Sequence, residues 1–438
     1  MRRPSPYRNQ FPLLLAIVTL SASLIAFQVA LMQLLSITQW HHFAYMVISI
    51  ALLGFGVSGT ILSLYRKKLL SHFYPFFPLF ILLSLLSIPG VVYLSQLPAL
   101  RFDSYLLFTG PRHLPRLWLL YLLYLFPFFW GALSLGMVFA KFPQNIGKLY
   151  FSNLLGSGVG GLIILPIMNI FLPQQIPAIL ALIGVAGCAP FITKNFQRGW
   201  LFLLLGILYV SMWIAVVPPI SYSQFKGIHK TLLLPDARIQ YEKNSPYGFI
   251  QVVSSPVLRY APGLSLSFTD SLPIEEMVFL NGEALGPLLS YKQPVSRNIF
   301  HFTTEALPYL LSSRINPLIL QAGTGSGIVR ALVFRSPKVT AVEPNSALVR
   351  LLRGKLAPLC DSLWWHPSLS IVSQSPRSFL LRDTTHYDLI EVPIVGAFGG
   401  TVGLRALQEQ YLLTVESYID MWNRLAPDGV LSVSCWLD

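Results

Sequence analysis

Two patterns of hydrophobic positions divide the chain. Up to about residue 218, long apolar stretches alternate with short polar segments, and each stretch is close to the ~20 residues that cross a bilayer as a helix. This pattern predicts an α-helical polytopic membrane domain over residues 1–218, with about seven spans. The predicted spans are, in order, 11–37, 43–65, 73–97, 117–140, 149–172, 176–192 and 200–217.

The third and fifth predicted spans have unusual compositions. The third contains Pro75, Pro78 and Pro89, which favour kinks in a transmembrane helix. The fifth is rich in glycine, and small residues allow neighbouring helices to approach closely. Its glycines are Gly156, Gly158, Gly160 and Gly161.

Beyond residue 219 the apolar stretches become short. Residues 219–298 combine a linker with alternating runs at 248–253, 264–268 and 276–280, separated by turn residues. Alternation of this length is typical of half-buried strands. Asn281-Gly282 is in addition a strong hairpin signal. The segment is therefore predicted to be a small antiparallel β domain.

From residue 299 to residue 438, predicted strands and helices alternate, which indicates a parallel, doubly wound Rossmann-like sheet. A helix over 299–313, with Glu305 near its middle, leads into this domain. The predicted strands are 317–322, 338–342, 369–373, 387–392 and 430–435; the predicted helices are 326–335, 346–355 and an amphipathic segment whose apolar positions run from Leu404 to Leu425.

Composition supports the division into two halves. Of the 438 residues, 54% are hydrophobic and 11% charged, which is too apolar for a soluble protein of this size. Residues 1–218 carry 13 Lys and Arg against one acid, a net charge of +12, whereas residues 219–438 carry 18 against 17, a net charge of +1. The basic excess thus lies in the predicted membrane half, where Lys and Arg set topology. It does not indicate binding to nucleic acid.

The same charges predict the orientation of the chain. With a cytoplasmic N-terminus, the cytoplasmic segments hold ten Lys and Arg and the opposite loops hold three, as the positive-inside rule requires. Seven spans then place the C-terminal domain outside, away from a cytoplasmic nucleotide-like cofactor. Either the count is wrong by one, at the third or fifth span, or the domain uses no such cofactor. We favour a miscount, a cytoplasmic domain, and a location in the bacterial plasma membrane with the lipid bilayer as partner.

The candidate chemistry begins where the first parallel strand ends. Gly323, Gly325 and Gly327 form a turn between a predicted strand and a helix, and Glu343 ends the following strand. Glycines let a cofactor approach the backbone, and a carboxylate at that position accepts hydrogen bonds from both hydroxyls of a ribose. The order of turn, helix and acid predicts a nucleoside pocket; the alternative is a tight turn with an incidental acid.

The three cysteines are far apart, and no metal site is predicted.

The order of these motifs resembles the spermidine synthase family (polyamine aminopropyltransferases), in the form that carries an N-terminal multi-span region. The segments that carry the resemblance are Ser245-Pro-Tyr247-Gly, Leu280-Asn-Gly-Glu283, Glu305, the three glycines, Glu343, Tyr387-Asp-Leu-Ile, Glu409-Gln-Tyr411 and, in the membrane half, Asn153-Leu-Leu-Gly156.

The resemblance implies a small β domain followed by an S-adenosylmethionine-methyltransferase-type Rossmann domain. It implies binding of decarboxylated S-adenosylmethionine and transfer of its aminopropyl group to putrescine. The glycines, Glu343 and the position of Ser375 would hold the nucleoside. The substrate would be held by Tyr247, Glu283, Glu305 and Tyr411. A sheet of this type adds a hairpin after its fifth strand, so we expect the natural chain to continue past Asp438.

The chain departs from the family where catalysis is concerned. The family has an acid for the adenine amine where this chain has Ser375, and an acid that deprotonates the attacking amine where this chain has Pro393. Glu391 lies two residues earlier on the same strand face, about 7 Å back. Glu391 is therefore either a displaced catalytic base or a strand-end acid paired with a neighbouring basic residue. For the other candidates the structural alternatives are a surface acid at Glu283, a solvated or capping acid at Glu305 and a core residue at Tyr411.

These observations predict a membrane-anchored protein that binds S-adenosylmethionine or its decarboxylated form and transfers an aminopropyl or related group to an unknown acceptor. One alternative is a methyltransferase, since methyl transfer depends mainly on proximity and alignment. Another is a catalytically degenerate nucleoside-binding or structural module. A homodimer or a larger membrane complex is compatible with each of these functions.

Overall fold

The computed structural model describes residues 10–39, 42–101, 103, 106–107, 110, 113–195, 199–217, 219–272, 274–311, 315–395 and 411–435. The chain divides into two compact units. The first comprises Met1–Lys226 with Lys243–Gly248, and the second comprises Gly227–Glu242 with Phe249–Asp438. Leu404, Leu407 and Glu409, which the sequence places on a helix, lie outside the described residues.

The first unit is helical. Among the described residues, α1, α2, α4, α5, α6 and α7 are long and apolar enough to cross a membrane, whereas α8 has only 17 residues, the lower limit for a span. The third and fifth spans, which the sequence left in doubt, thus both form long helices, and the seventh is the short one. The helices are α1 (Phe11–Thr38), α2 (His42–Leu64), α3 (Arg66–Ser71), α4 (Phe73–Ser95), α5 (His113–Lys141), α6 (Ile146–Ile170), α7 (Ile176–Asn195) and α8 (Gly199–Ala215).

Helix α1 packs most closely against α6. A Cβ atom added to Gly156 would lie 2.8 Å from Val18 Cα, and one added to Gly160 would lie 2.8 Å from Ala22 Cα. The predicted close approach is therefore confirmed for these two glycines, whereas Gly158 and Gly161 have nothing within 4 Å of an added Cβ. Because both contacts advance by four residues in the same sense, α1 and α6 run in the same direction. In a chain that crosses a membrane back and forth, the first and fifth spans also run in the same direction.

The second unit begins with a four-stranded antiparallel sheet in the order β1-β2-β3-β4. The hairpin between β3 and β4 pairs Leu280 with Glu283. Its two central residues, Asn281 and Gly282, have φ of +50° and +77°, as a type I′ turn requires. The elements are α9 (Gly227–Leu232), β1 (Arg238–Lys243), β2 (Ile250–Ser254), β3 (Glu276–Leu280) and β4 (Glu283–Pro287).

A five-stranded parallel sheet follows, in the order β7-β6-β5-β8-β9. Counted from β5, this order is 3-2-1-4-5, the Rossmann-like arrangement, in which ligands bind beyond the carboxyl ends of the strands. The elements are α10 (Pro294–Asn298), α11 (Leu307–Leu311), β5 (Pro317–Leu320), α12 (Ser326–Val333), β6 (Val339–Val342), α13 (Ser346–Arg353), β7 (Leu369–Val372), α14 (Pro376–Arg382), β8 (Tyr387–Val395), α15 (Val415–Trp422) and β9 (Leu425–Cys435).

Two sequence predictions around residue 300 are wrong. The helix over 299–313 is broken into 3-10 turns at Ile299–Phe302 and Thr304–Ala306, followed by α11. Of the strand over 264–268, only Leu264 pairs, in an isolated bridge to Thr303. The break in the helix has a tertiary cause. Thr303 takes an extended conformation (φ −101°, ψ 147°) to make this bridge, and tertiary pairing overrides helix propensity.

The amphipathic helix that ends at Leu425 is also wrong in its limits. Thr414 is extended, and its hydroxyl accepts a hydrogen bond from the Ser417 backbone N–H, which makes it the N-cap of α15. Leu425 already pairs with Tyr387 as the first residue of β9. An N-cap in the middle of the pattern starts a new helix, a signal that apolar spacing alone does not reveal.

Candidate functional site

The turn between β5 and α12 is built from glycine. Gly323 and Gly325 have φ of +58° and +101°, a region that other residues rarely enter. A Cβ on Gly325 would lie 3.0 Å from Leu363 Cδ2 and 3.3 Å from Trp364 Nε1. The turn therefore fits tightly against the segment that precedes β7, and a side chain at Gly325 would need both these groups to move.

Glu343 is anchored to this turn. Its Oε2 accepts a hydrogen bond from the Gly323 N–H at 2.8 Å, and its Oε1 accepts one from the Asn345 N–H at 2.9 Å. The side chain is almost fully buried, with 5% exposed. Burial raises the pKa of Glu343 from its ordinary value of 4.5 to about 7, although the two backbone N–H groups lower it. Each oxygen still has a lone pair, so the carboxylate remains able to accept further hydrogen bonds.

The raised pKa predicts a pH-dependent stability. The pKa of Glu343 is higher in the folded state than in the unfolded state. The stabilisation of the fold by this side chain is therefore fully present below pH 4.5 and is lost as the pH rises through about 7. A pKa shift of this size corresponds to a change in the free energy of unfolding on the order of 3 kcal/mol. Measured by chemical denaturation of the full chain in detergent, the stability of the wild type relative to E343Q should fall by that amount between pH 4.5 and 8. An unchanged difference would contradict the assignment.

A buried ionic cluster lies beneath α12. The Arg330 guanidinium, 1% exposed, forms ion pairs with Glu305 at 2.5 Å and with Glu391. The Tyr309 hydroxyl donates a hydrogen bond to Glu391 Oε2 at 2.9 Å. Burial raises the pKa of Glu305, and the charge of Arg330 offsets this only in part. Burial would lower the pKa of Arg330, but the charges of Glu391 and Glu305 outweigh it and raise the value.

These contacts bear on both acids that the sequence singled out. Both carboxylate oxygens of Glu391 are engaged, one by Arg330 and the other by Tyr309. Of its two interpretations, the geometry favours the acid paired with a neighbouring basic residue. Glu305 is neither solvated nor a helix cap, since it is half-buried and faces Arg330. A role for Glu391 as a catalytic base and for Glu305 as a substrate ligand stays a prediction.

The positions at the ends of β7 and β8 carry no carboxylate. Ser375 is exposed and precedes α14 as its N-cap residue, without a side-chain capping bond. Pro393 lies within β8, and its side chain has no group that accepts a proton. Ser375 is able to hydrogen-bond an adenine amine but provides no charge.

The remaining candidates lie in separate places. Glu283 is the first residue of β4, at the hairpin. Three residues later, a Cβ added to Gly286 would lie 2.5 Å from Oγ1 of Thr324, which belongs to the glycine turn. Tyr411 is 62% exposed, so the core interpretation of this residue is wrong. Tyr247, 52% exposed, belongs to the segment 243–248 of the first unit. The binding role of all three residues stays a prediction.

Several residues near the turn were not identified from the sequence. Arg330 was detectable as the one charged position within the apolar stretch of α12, since a buried charge requires a partner. Asn345 Oδ1 caps α13 through the Leu348 N–H at 3.0 Å. The Asn345 Nδ2 and Trp364 Nε1 donors are buried and have no hydrogen-bond partner within the described residues. Two unused donors near Glu343 and Gly325 are suited to acceptor atoms of a ligand.

In the same described part, no three His, Cys, Asp or Glu side chains converge as a metal site requires.

Comparison with known proteins gives limited similarity. No family model and no curated protein matches the sequence. Among solved structures, a spermidine synthase in complex with the transition-state analogue AdoDATO aligns with 16% identity and a TM-score of 0.31, and the spermidine synthase from Thermotoga maritima aligns with 15% and 0.30. Each alignment covers 45% of this chain and 56% of the other. The match thus spans little more than half of either enzyme, and the TM-scores are too low to carry an argument.

Proposed function

We propose that the second unit binds S-adenosylmethionine or its decarboxylated form and that the protein transfers a group from this nucleoside to an acceptor. The observation that carries the proposal is the placement of Glu343. Its carboxylate lies at the carboxyl end of β6, hydrogen-bonded to the glycine turn that follows the neighbouring strand β5. An acid at this edge is placed to hold ribose hydroxyls, while the turn leaves room for the rest of the ligand.

The transferred group follows from the acids that are missing. A diamine is bound as a cation and must lose a proton before it attacks, so it requires carboxylates and a base. Ser375 and Pro393 supply neither, and Glu391 is held by Arg330 and Tyr309. Methyl transfer to an acceptor that needs no deprotonation is less demanding. We therefore favour it over aminopropyl transfer to putrescine.

A second candidate function is nucleoside binding without catalysis. The engagement of Glu391 in the buried cluster favours it, because no other carboxylate stands at the end of β8 within the described residues. Under this proposal the second unit serves a membrane complex as a sensor or structural module. Turnover with any acceptor by a protein that binds the nucleoside would exclude it.

The first unit is proposed to hold this domain at a lipid bilayer. Large apolar side chains remain exposed on its long helices, which is costly in water and favourable in lipid. The topology predicted from the loop charges, with a cytoplasmic N-terminus, is part of the proposal. The exposed residues include Leu52, Leu64, Phe151, Leu162 and Ile170.

The proposal is tested by nucleoside binding to the full chain in detergent micelles. Calorimetric titration should detect S-adenosylmethionine, its decarboxylated form or methylthioadenosine. E343A should weaken the affinity about 100-fold, because two hydrogen bonds to a charged acceptor are lost. Affinity should also rise with pH through about 7, the pKa of Glu343, since only the ionised carboxylate accepts bonds from both hydroxyls.

The matched control is E275A, which removes an exposed acid of the same unit and should leave affinity unchanged. If a folded protein binds none of the three nucleosides, the proposal fails. Equal affinities for E343A and wild type would refute the ribose assignment.

A further inference from the structure

A second cleft lies at the opposite edge of the parallel sheet from the glycine turn. Its volume is about 400 Å³, and it is bounded by α12 and by the residues that precede β6 and β7. Ser336 comes three residues before β6, whereas Glu343 follows β6 directly. The cleft is therefore a different site from the proposed nucleoside pocket. Its polar lining includes Tyr291, Lys292, Arg297, Arg335, Ser336 and His366.

The lining is positively charged. Lys292, Arg297 and Arg335 contribute three cations, and no Asp or Glu is among the lining residues. Within the described part of the chain, none of the three forms an ion pair with a carboxylate. All three side chains are exposed, which screens their mutual repulsion, and the Asp361 carboxylate accepts a hydrogen bond from the Lys292 backbone N–H at 3.1 Å. An anion bound between the three cations gains attraction from each of them.

The buried hydroxyl of Ser336 is the second observation. Ser336 is one of the lining residues; its side chain is 5% exposed, and its hydroxyl is buried without a hydrogen-bond partner among the described residues. A buried polar group without a partner destabilises the fold unless a ligand or water satisfies it. His366 adds another donor. Its Nδ1 accepts a hydrogen bond from the Ser368 N–H at 3.2 Å, so Nε2 carries the proton of the neutral ring.

Three carbonyl groups near the end of α12 are satisfied within the protein, and the cations of the cleft offset the negative end of the helix dipole. The carbonyl oxygens of Arg330, Ala331 and Leu332 already accept hydrogen bonds from the N–H groups of Phe334, Ser336 and Arg335. Arg335 has a φ of +59°, a conformation that glycine adopts at lower cost. Among the described lining residues, Arg335 alone has a positive φ, so a guanidinium stands where the backbone favours glycine.

We propose that this cleft binds a phosphate-bearing ligand. Guanidinium groups bind phosphate through two parallel hydrogen bonds, and a lysine adds a point charge. The Ser336 hydroxyl and the His366 N–H are suited to the remaining phosphate oxygens. The volume is at the lower end of the range for small-molecule sites, which fits a phosphate group with a compact substituent. The same chemistry is offered by a soluble phosphate compound and by an anionic lipid headgroup.

The test uses the full chain in non-ionic detergent at constant ionic strength. Inorganic pyrophosphate and short-chain phosphatidylglycerol are titrated separately, and binding is followed by calorimetry and by the rise in melting temperature. R297Q/R335Q should weaken binding of the effective probe at least tenfold. The matched control R350Q/R382Q removes two exposed arginines of the same unit and should change the affinity less than twofold.

Ser336 supplies an independent measurement. S336A removes a hydroxyl that has no partner, so the protein without added anion should be as stable as wild type or more so. Its affinity for the anion should nevertheless fall about tenfold. Binding of pyrophosphate would identify a soluble ligand, and binding of phosphatidylglycerol alone would identify a lipid headgroup; either supports the proposal. No binding of either probe, or equal losses in the two arginine double variants, would overturn it.

Discussion

Replacing Arg330 with methionine should destabilise the second unit by about 3–5 kcal/mol, because the buried Glu391 and the half-buried Glu305 lose their common counter-ion. Arg330 is 1% exposed and pairs with both Glu305 and Glu391. Methionine fills much of the same volume, so the loss comes mainly from the uncompensated charges rather than from a cavity. For a unit of about 200 residues this corresponds to a melting temperature lower by roughly 10 °C. Thermal unfolding of the full chain in detergent measures it.

Two further variants identify the cause. In R330M/E305Q/E391Q no charge remains unpaired, and most of the lost stability should return, since buried ion pairs contribute little net stability relative to neutral replacements. R377M breaks an ion pair with Asp420 that is partly exposed, at 2.8 Å, and should cost only about 1 kcal/mol. A triple variant as unstable as R330M would show that packing, not charge, explains the effect.

The cluster also separates structure from catalysis at Glu391. If this residue only balances Arg330, E391Q should lower stability and leave nucleoside affinity unchanged, because Glu343 and the glycine turn remain intact. Stability and affinity then change independently, as expected for an acid that acts through the fold rather than through the ligand. Equal affinities alone do not separate the two proposed functions, because a catalytic base need not contact the nucleoside; turnover with an acceptor does.

Much of the parallel sheet was predictable from the sequence because its signals are local. The strand from Pro317, the glycine turn and the strand ending before Glu343 each depend on a few neighbouring residues. The break at Thr303 depends on Leu264, almost forty residues earlier, and no local pattern reports such a pairing. The same holds for Thr414, whose capping bond overrides a longer apolar repeat.

The candidate site was predictable only in part, for a related reason. Glu343 follows from its place at the end of a strand, whereas the partner of Glu391 lies 61 residues earlier, on a helix. A sequence shows that a buried acid requires a counter-ion but not which residue supplies it. Arg330 stands out in the sequence as a charge within an apolar stretch, but its partners become known only from the structure. The Asn345 Nδ2 and Trp364 Nε1 donors are identified only from the structure, which shows that they are buried and have no hydrogen-bond partner among the described residues.

The largest effect in the first unit is expected at Gly156 and Gly160. Both approach the backbone of α1, and a Cβ on either would lie 2.8 Å from a Cα atom of that helix, well inside van der Waals contact. Backbone cannot rotate away as a side chain does, so the two helices must separate. G156V or G160V should therefore destabilise this unit by about 3 kcal/mol or more. In detergent, the melting temperature and the yield of folded protein should both fall.

Gly158 and Gly161 on the same helix provide matched controls, because an added Cβ meets nothing within 4 Å at either position. G158V and G161V make the same chemical change with the same helix propensity, so any difference from G156V and G160V reports packing against α1 alone. If G156V does not fold, G156A still tests the contact with a single methyl group. Since Ser21 also hydrogen-bonds Asn153 across this interface at 2.8 Å, S21A combined with G156A should lose less stability than the sum of the two single changes if the helices separate, because the separation already weakens this bond. Equal melting temperatures for the 156 and 158 variants would mean that α1 and α6 do not pack as closely as these distances require.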